Sequence, residues 1–191
     1  MANTEVVTGK VRFSYLNVFT PRASEDGGAP RYSVTLLIPK SDTTTMGKIK
    51  AAMKAAADTF RAKNGTASLP AEPMTPIHDG DGVKPNSGEP YGAECKGCWV
   101  LSISANEAYK PGVYDAFRND ITDPAEVKSG DYGRAHINFY GYNNRRKGIG
   151  AGLLGLQKLA DGDALGGAAG TADAFNDGYV DPVGDDDAFL G

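Results

Sequence analysis

The chain has 191 residues, 40% hydrophobic and 23% charged, which suits one folded domain plus a tail. No stretch approaches the roughly 20 apolar residues of a membrane span, and residues 1–5 lack the features of a secretory signal, so a cytoplasmic protein is expected. The net charge of −4 is unevenly divided: residues 1–160 hold all 20 Lys and Arg and 16 of the 24 Asp and Glu, a net of +4, whereas 161–191 carry eight aspartates and no cation. That asymmetry hints at nucleic-acid traffic, although acidic tails also serve solubility.

In chain order, 6–19 reads as a strand, with Val7, Val11, Phe13 and Tyr15 alternating against Thr8, Lys10, Arg12 and Ser14. Residues 20–30 form a turn or loop. A second strand spans 31–38, with Tyr32, Val34, Leu36 and Ile38 on one face, and Pro39 closes it. A helix follows, capped near Asp42 and stopped at Asn64-Gly65. Its stripe of Met46, Ile49, Met53, Ala56 and Phe60 predicts packing on a sheet, with its lysines in solvent.

Residues 66–94 are rich in Pro, Gly and Asp and read as a long functional or mobile loop. Strands are predicted at 99–104, where Trp99 shares the core face of Leu101 and Ile103, and at 132–142 and 149–159. A short strand is weighed at 113–117 and a single helical turn near 123–126. In 132–142, Ala135, Ile137 and Phe139 face one way; Arg134, His136, Asn138, Tyr140 and Tyr142 face the other. From Asp161 onward the chain is Gly, Ala and Asp with too few apolar residues to fold alone.

These elements predict a mainly β (α+β) fold: a five-stranded OB-fold-like barrel with one helix, long loops and a disordered acidic C-terminal tail. The division is a DNA-binding domain over 1–160 and a flexible tail over 161–191. The helix follows the second strand, whereas the usual OB-fold places it between the third and fourth.

The strongest cluster is the polar face of 134–142 running into Arg145, Arg146 and Lys147. Single-stranded DNA needs cations for phosphates and flat π-faces for unstacked bases, and this strand presents both. The candidate DNA-binding residues are Lys10, Arg12, Tyr109, Lys110, Arg134, His136, Tyr140, Tyr142, Arg145, Arg146 and Lys147. The bland alternative puts the tyrosines over a small second core and the arginines in solvent. In the tail, Asp185, Asp186, Asp187 and Phe189 are the candidate partner-binding residues, because an acidic run with a terminal hydrophobe suits a basic-rimmed pocket or mimics DNA.

Chemistry beyond binding has little support. Cys95-Lys96-Gly97-Cys98 lacks the second ligand pair of a zinc site and precedes a strand, unlike a thioredoxin-type pair, so the thiols read as incidental. Asp79-Gly80-Asp81-Gly82 lacks EF-hand spacing and supports at most a loose cation site. There is no P-loop, nucleophile elbow or His-Glu-x-x-His, so no enzyme, metal or cofactor is expected.

Several motifs carry a family resemblance. They are Ser129-Gly130-Asp131-Tyr132 followed by Arg134, Asn138-Phe139-Tyr140-Gly141-Tyr142, Lys147-Gly148-Ile149, Gly152-Leu153 and Leu156-Gln157-Lys158, with Tyr91-Gly92, Cys98-Trp99 and Pro111-Gly112-Val113 fitting more loosely. Over about residues 5–175 the chain resembles the phage single-stranded DNA-binding proteins formerly catalogued as a domain of unknown function. The resemblance implies an OB-fold, single-strand binding and service to phage DNA replication or recombination. The Asp-rich end with Phe189 resembles the tip of bacterial and phage SSB tails, except that Leu190 and Gly191 follow here. The expected partners are single-stranded DNA and, through the tail, replication or recombination proteins; a homodimer is compatible with the sequence. The competing readings are an interaction or annealing protein acting through its tail and, behind it, a thiol oxidoreductase using Cys95 and Cys98.

Overall fold

The computed structural model describes residues 3–23, 27–165 and 178. The elements are β1 (Glu5–Val7), β2 (Val11–Arg22), β3 (Arg31–Pro39), α1 (Thr43–Asn64), β4 (Ile77–Asp79), β5 (Cys98–Asn106), β6 (Gly112–Tyr114), β7 (Tyr132–Asn143) and β8 (Lys147–Ala160). Beyond residue 165, and apart from Gly178, the acidic tail expected from 161 onward lies outside the described residues, with Asp185, Asp186, Asp187 and Phe189.

Five long strands close on themselves. β2 pairs with β3, β3 with β5, β5 with β8, β8 with β7, and β7 returns to β2. Only the β5–β8 seam within this ring is parallel. The result is the five-stranded OB-like barrel that the long apolar patterns predict. Three short strands are additional: β1 extends the sheet beside β7, β6 pairs with β8, and β4 with β5. The helix lies between the second and third barrel strands, where the chain order placed it.

Inward side chains fill the ring at period two. Phe13, Leu36, Ile38, Leu101, Ile103, Ile137, Phe139 and Leu156 are all at most 2% exposed. Burying each such side chain contributes about 1.5–3 kcal/mol. α1 begins where Asp42 accepts a hydrogen bond from Thr45 N–H and ends at Gly65, whose φ of 94° an L side chain rarely adopts. It seals the barrel with Met46, Ile49 and Ala56, while Met53 and Phe60 pack against the same core.

The first strand departs from its predicted alternation at two points. The chain breaks at Gly9-Lys10 between β1 and β2, so Val6 and Thr8 face inward and Val7 is exposed. Ser14 pairs with Thr35 but Asn17 with Ser33, so β2 carries one extra residue there. That bulge turns Tyr15 out of the core face, leaving it 70% exposed.

The 66–94 excursion is structured rather than a bare loop. It contains β4 and short 3-10 turns, is tied to the barrel by the β4–β5 pairing and the Met74–Gly148 bridge, and is closed internally by the Val83–Pro90 bridge. Asp79 and Asp81 both pair with Lys40 Nζ, at 2.6 and 2.7 Å. Lys40 also sits 4.9 Å from the Trp99 ring centre, and Trp99 packs against the core as predicted.

Candidate nucleic-acid interface

The β7–β8 hairpin builds the site. Along β7, Ala135, Ile137 and Phe139 are buried while Arg134 and Tyr140 are exposed, the strict alternation of a barrel strand. Tyr140 and Tyr142 pair across the ladder with Gly150 and Gly148 of β8. Glycine leaves the outer surface of β8 bare, so the Tyr140 ring lies down on it. A Cβ built on Gly150 would meet ring atoms Cε2 and Cζ at 2.7 and 2.6 Å. One ring face is thereby held against backbone and the other is turned outward.

Around these rings lies a cleft of about 500 Å³. It is lined by Tyr140, Tyr142 and Arg146 of the hairpin, Ser102 and Ser104 of β5, and Met74, His78 and Asn86 of the excursion. Arg145 is exposed in the same hairpin turn, and Lys147 is exposed where β8 begins. No carboxylate lines this cleft and Arg146 has no acidic partner among the described residues, so its local charge is positive.

A smaller hollow adjoins it, sharing His78 and Ser102, and is lined further by Tyr15, Thr35, Lys84, Tyr91 and Glu94. The alternation of β2 points Tyr15 inward, so the sequence reading does not include it among candidates. His78 and Lys84 fall in the excursion. An odd positive-φ residue is invisible in a one-dimensional pattern.

The other candidates lie apart from the cleft. Arg134 and His136 line a separate hollow of about 170 Å³ with Val7, Tyr114 and Leu154. There His136 Nε2 is 3.0 Å from Glu5, and Arg134 Nε donates to the Thr8 carbonyl. Lys10 and Arg12 stack on Tyr132 at 5.2 and 5.4 Å. Arg12 also donates to the carbonyls of Gly130 and Asp163. Tyr109 and Lys110 are exposed in the turn after β5 and line neither part of the cleft.

The Ser129–Tyr132 motif has a structural task. Gly130, at φ 111°, lets the chain at Asp163 cross directly over it, where any side chain would overlap the Asp163 carbonyl. Asp131 is fully buried and accepts from Lys128 Nζ, Lys128 N–H and Gly162 N–H, with Lys158 3.2 Å away. Desolvation pushes its carboxyl up, but these donors outweigh it and hold the pKa at about 2. Residues 161–165 are thus strapped to the body. Leu165 packs with Leu37, Cys95 and Val100, a cluster that adjoins the smaller hollow.

Cys95 is buried, Cys98 half-buried, and both thiols are free. Burial pushes both pKa values up, opposite to a reactive thiolate.

A closed five-stranded OB-like barrel with an aromatic and basic cleft on its outer face places the chain in the OB-fold class, an architecture that many oligonucleotide-binding proteins use. Residues 4–189 match the family model described as Enterobacter phage Enc34, ssDNA-binding protein. The chain is similar to the single-stranded DNA-binding protein of bacteriophage Enc34 solved in complex with ssDNA, at 31% identity and a TM-score of 0.68, covering 85% of this chain and 90% of that one. It is also 31% identical over 182 residues to putative protein p50 of Acyrthosiphon pisum secondary endosymbiont phage 1, covering 91% of this chain and 93% of that protein. Bacteriophage T7 gp2.5, a single-stranded DNA-binding protein, shares the fold at 14% identity and a TM-score of 0.56, over 93% of this chain and 96% of that one. The chain belongs to the Enc34-type family of phage single-stranded DNA-binding proteins.

Proposed function

We propose that this protein binds single-stranded DNA in the cleft, tolerantly of sequence, during phage DNA replication or recombination in the host cytoplasm. One observation carries the reading: the Tyr140 and Tyr142 rings and the Arg146 guanidinium line a single cleft to which no carboxylate among the described residues contributes. Stacking on a tyrosine discriminates little among bases, because every base has a π-face. Arg145, Arg146 and Lys147 supply phosphate contacts at its mouth. Its action is binding rather than catalysis, in keeping with the raised thiol pKa values and the family relationship.

The acidic tail serves as competitor and hook in this proposal. Its root is strapped beside the smaller hollow through Asp131 and Leu165. From there the six aspartates beyond the strap can compete with DNA phosphates for the basic cleft, and Phe189 can dock replication or recombination proteins. Anisotropy titration of labelled single-stranded and duplex oligonucleotides tests the core of the proposal. Single-strand preference that is lost in Tyr140→Ala supports it; equal affinity for both, unaffected by Tyr140→Ala, overturns it.

A further inference from the structure

The second part of the cleft contains a residue with an unusual backbone. Tyr15 has φ 47°, the left-handed region that bulky side chains avoid. It sits on the β2 bulge, where Tyr15 and Leu16 stand opposite Val34 alone. The distortion is held from two directions: Leu16 N–H donates to Ser129 Oγ at 3.0 Å, and the Asn17 side-chain amide donates to the Tyr15 carbonyl at 3.1 Å. Folding gains little from the ring itself, which is 70% exposed. A strained backbone that holds an aromatic ring in solvent at the edge of a cleft points to a function for that ring.

We infer that Tyr15 is a second base-stacking platform, and that the single strand crosses the barrel between Tyr140 and Tyr15. The cleft and the smaller hollow adjoin, with His78 and Ser102 lining both. Followed round the cleft side of the closed ring, from β7 over β8, β5 and β3 to β2, the path along the surface is four strand spacings or about 20 Å. That length holds several bases, within the roughly 4–16 nucleotides an OB-fold takes. Thr35 and Ser102, whose hydroxyls are 3.4 Å apart, lie on the way and offer polar contacts without base selectivity. Lys84 supplies a cation at the far end, although Glu94 lines the same hollow.

The inference rests on the proposed binding in the cleft, and Tyr140→Ala serves as its reference. Tyr15→Gly, Tyr15→Ala and Tyr15→Trp would be titrated with an oligothymidine of about 15 nucleotides and melted thermally. Glycine relieves the backbone strain and alanine does not. Tyr15→Gly is therefore expected to melt at or above the parent and above Tyr15→Ala. Both should bind about fivefold or more weakly. Tyr15→Trp should bind as well as the parent, because only the π-face is needed. Unchanged affinity in Tyr15→Gly alongside weakened Tyr140→Ala overturns Tyr15 as a platform and leaves the cleft intact. A Tyr15→Gly protein that loses stability and affinity together also overturns it, since the ring would then be structural. Unchanged affinity in both variants overturns the cleft reading and this inference with it.

Discussion

The Tyr140 ring lies across Gly150 on the neighbouring strand, with ring Cζ 2.6 Å from where a Cβ at position 150 would stand. The ring's pose therefore depends on a residue that has no side chain to contact DNA. Gly150→Ala should lift or turn the ring and weaken oligonucleotide binding by about 1–2 kcal/mol, a large part of the roughly 1–3 kcal/mol expected from Tyr140→Ala. Titration of the two single variants and the double variant checks this. The losses should not add, because both act through one ring. Full additivity would show that the ring is not held by the glycine.

The hairpin turn should control salt dependence. Arg145→Ala and Arg146→Ala each remove a cation beside the cleft. Each should lower the slope of log affinity against log salt by about 0.7 if it neutralises one phosphate. Arg134→Ala, in the separate hollow, provides the comparison. A slope change for Arg134→Ala equal to those of the hairpin arginines would extend the DNA path beyond the cleft.

Asp131 should make the fold acid-sensitive. Its carboxyl titrates near 3.8 when exposed and at about 2 in the fold. Because the folded value is depressed, its stabilisation is complete above about pH 4, declines as pH falls, and is gone below about pH 2. The shift corresponds to about 2 kcal/mol for this fully buried group. Asp131→Asn should cost at least that near neutrality and close to nothing at the acid limit. Chemical denaturation at several pH values measures it, and a pH-independent penalty would contradict the ionic role.

The two cysteines should behave differently from each other. The sequence reading treats both as incidental, which implies neutral serine variants. Cys95, however, is 6% exposed among Leu37 and Val100. Cys95→Ser should cost about 1–3 kcal/mol by burying a hydroxyl without a partner, whereas Cys98→Ser should cost less. Neither should alter oligonucleotide affinity where the protein is folded, as titration below the melting transition will establish.

Removing residues 173–191 takes away six of the eight tail aspartates. Single-strand binding should tighten, most at low salt, and the gain should shrink as salt screens both contacts. Phe189→Ala removes no charge, so it should leave DNA affinity nearly unchanged and reduce capture of partner proteins. A truncated chain that binds no more tightly at low salt would rule out competition by the tail.

Local patterning in the sequence was enough to determine the barrel and its main strand faces. Ala135, Ile137 and Phe139 alternate with Arg134, Tyr140 and Tyr142 because side-chain direction along an unbroken strand depends only on position. The division of charge between body and tail is likewise a property of composition. Tertiary structure alone decided which outward residues share a cleft. An extra residue at the β2 bulge reversed Tyr15, since a shift of one position changes the face. Closing of the barrel and the bridges of the 66–94 excursion brought His78 and Asn86 into one cleft with Tyr140 and Arg146, while Arg134 and His136, on the same strand face, joined Val7 and Tyr114 instead. Those groupings arise from pairings distant in sequence, which residue periodicity does not encode.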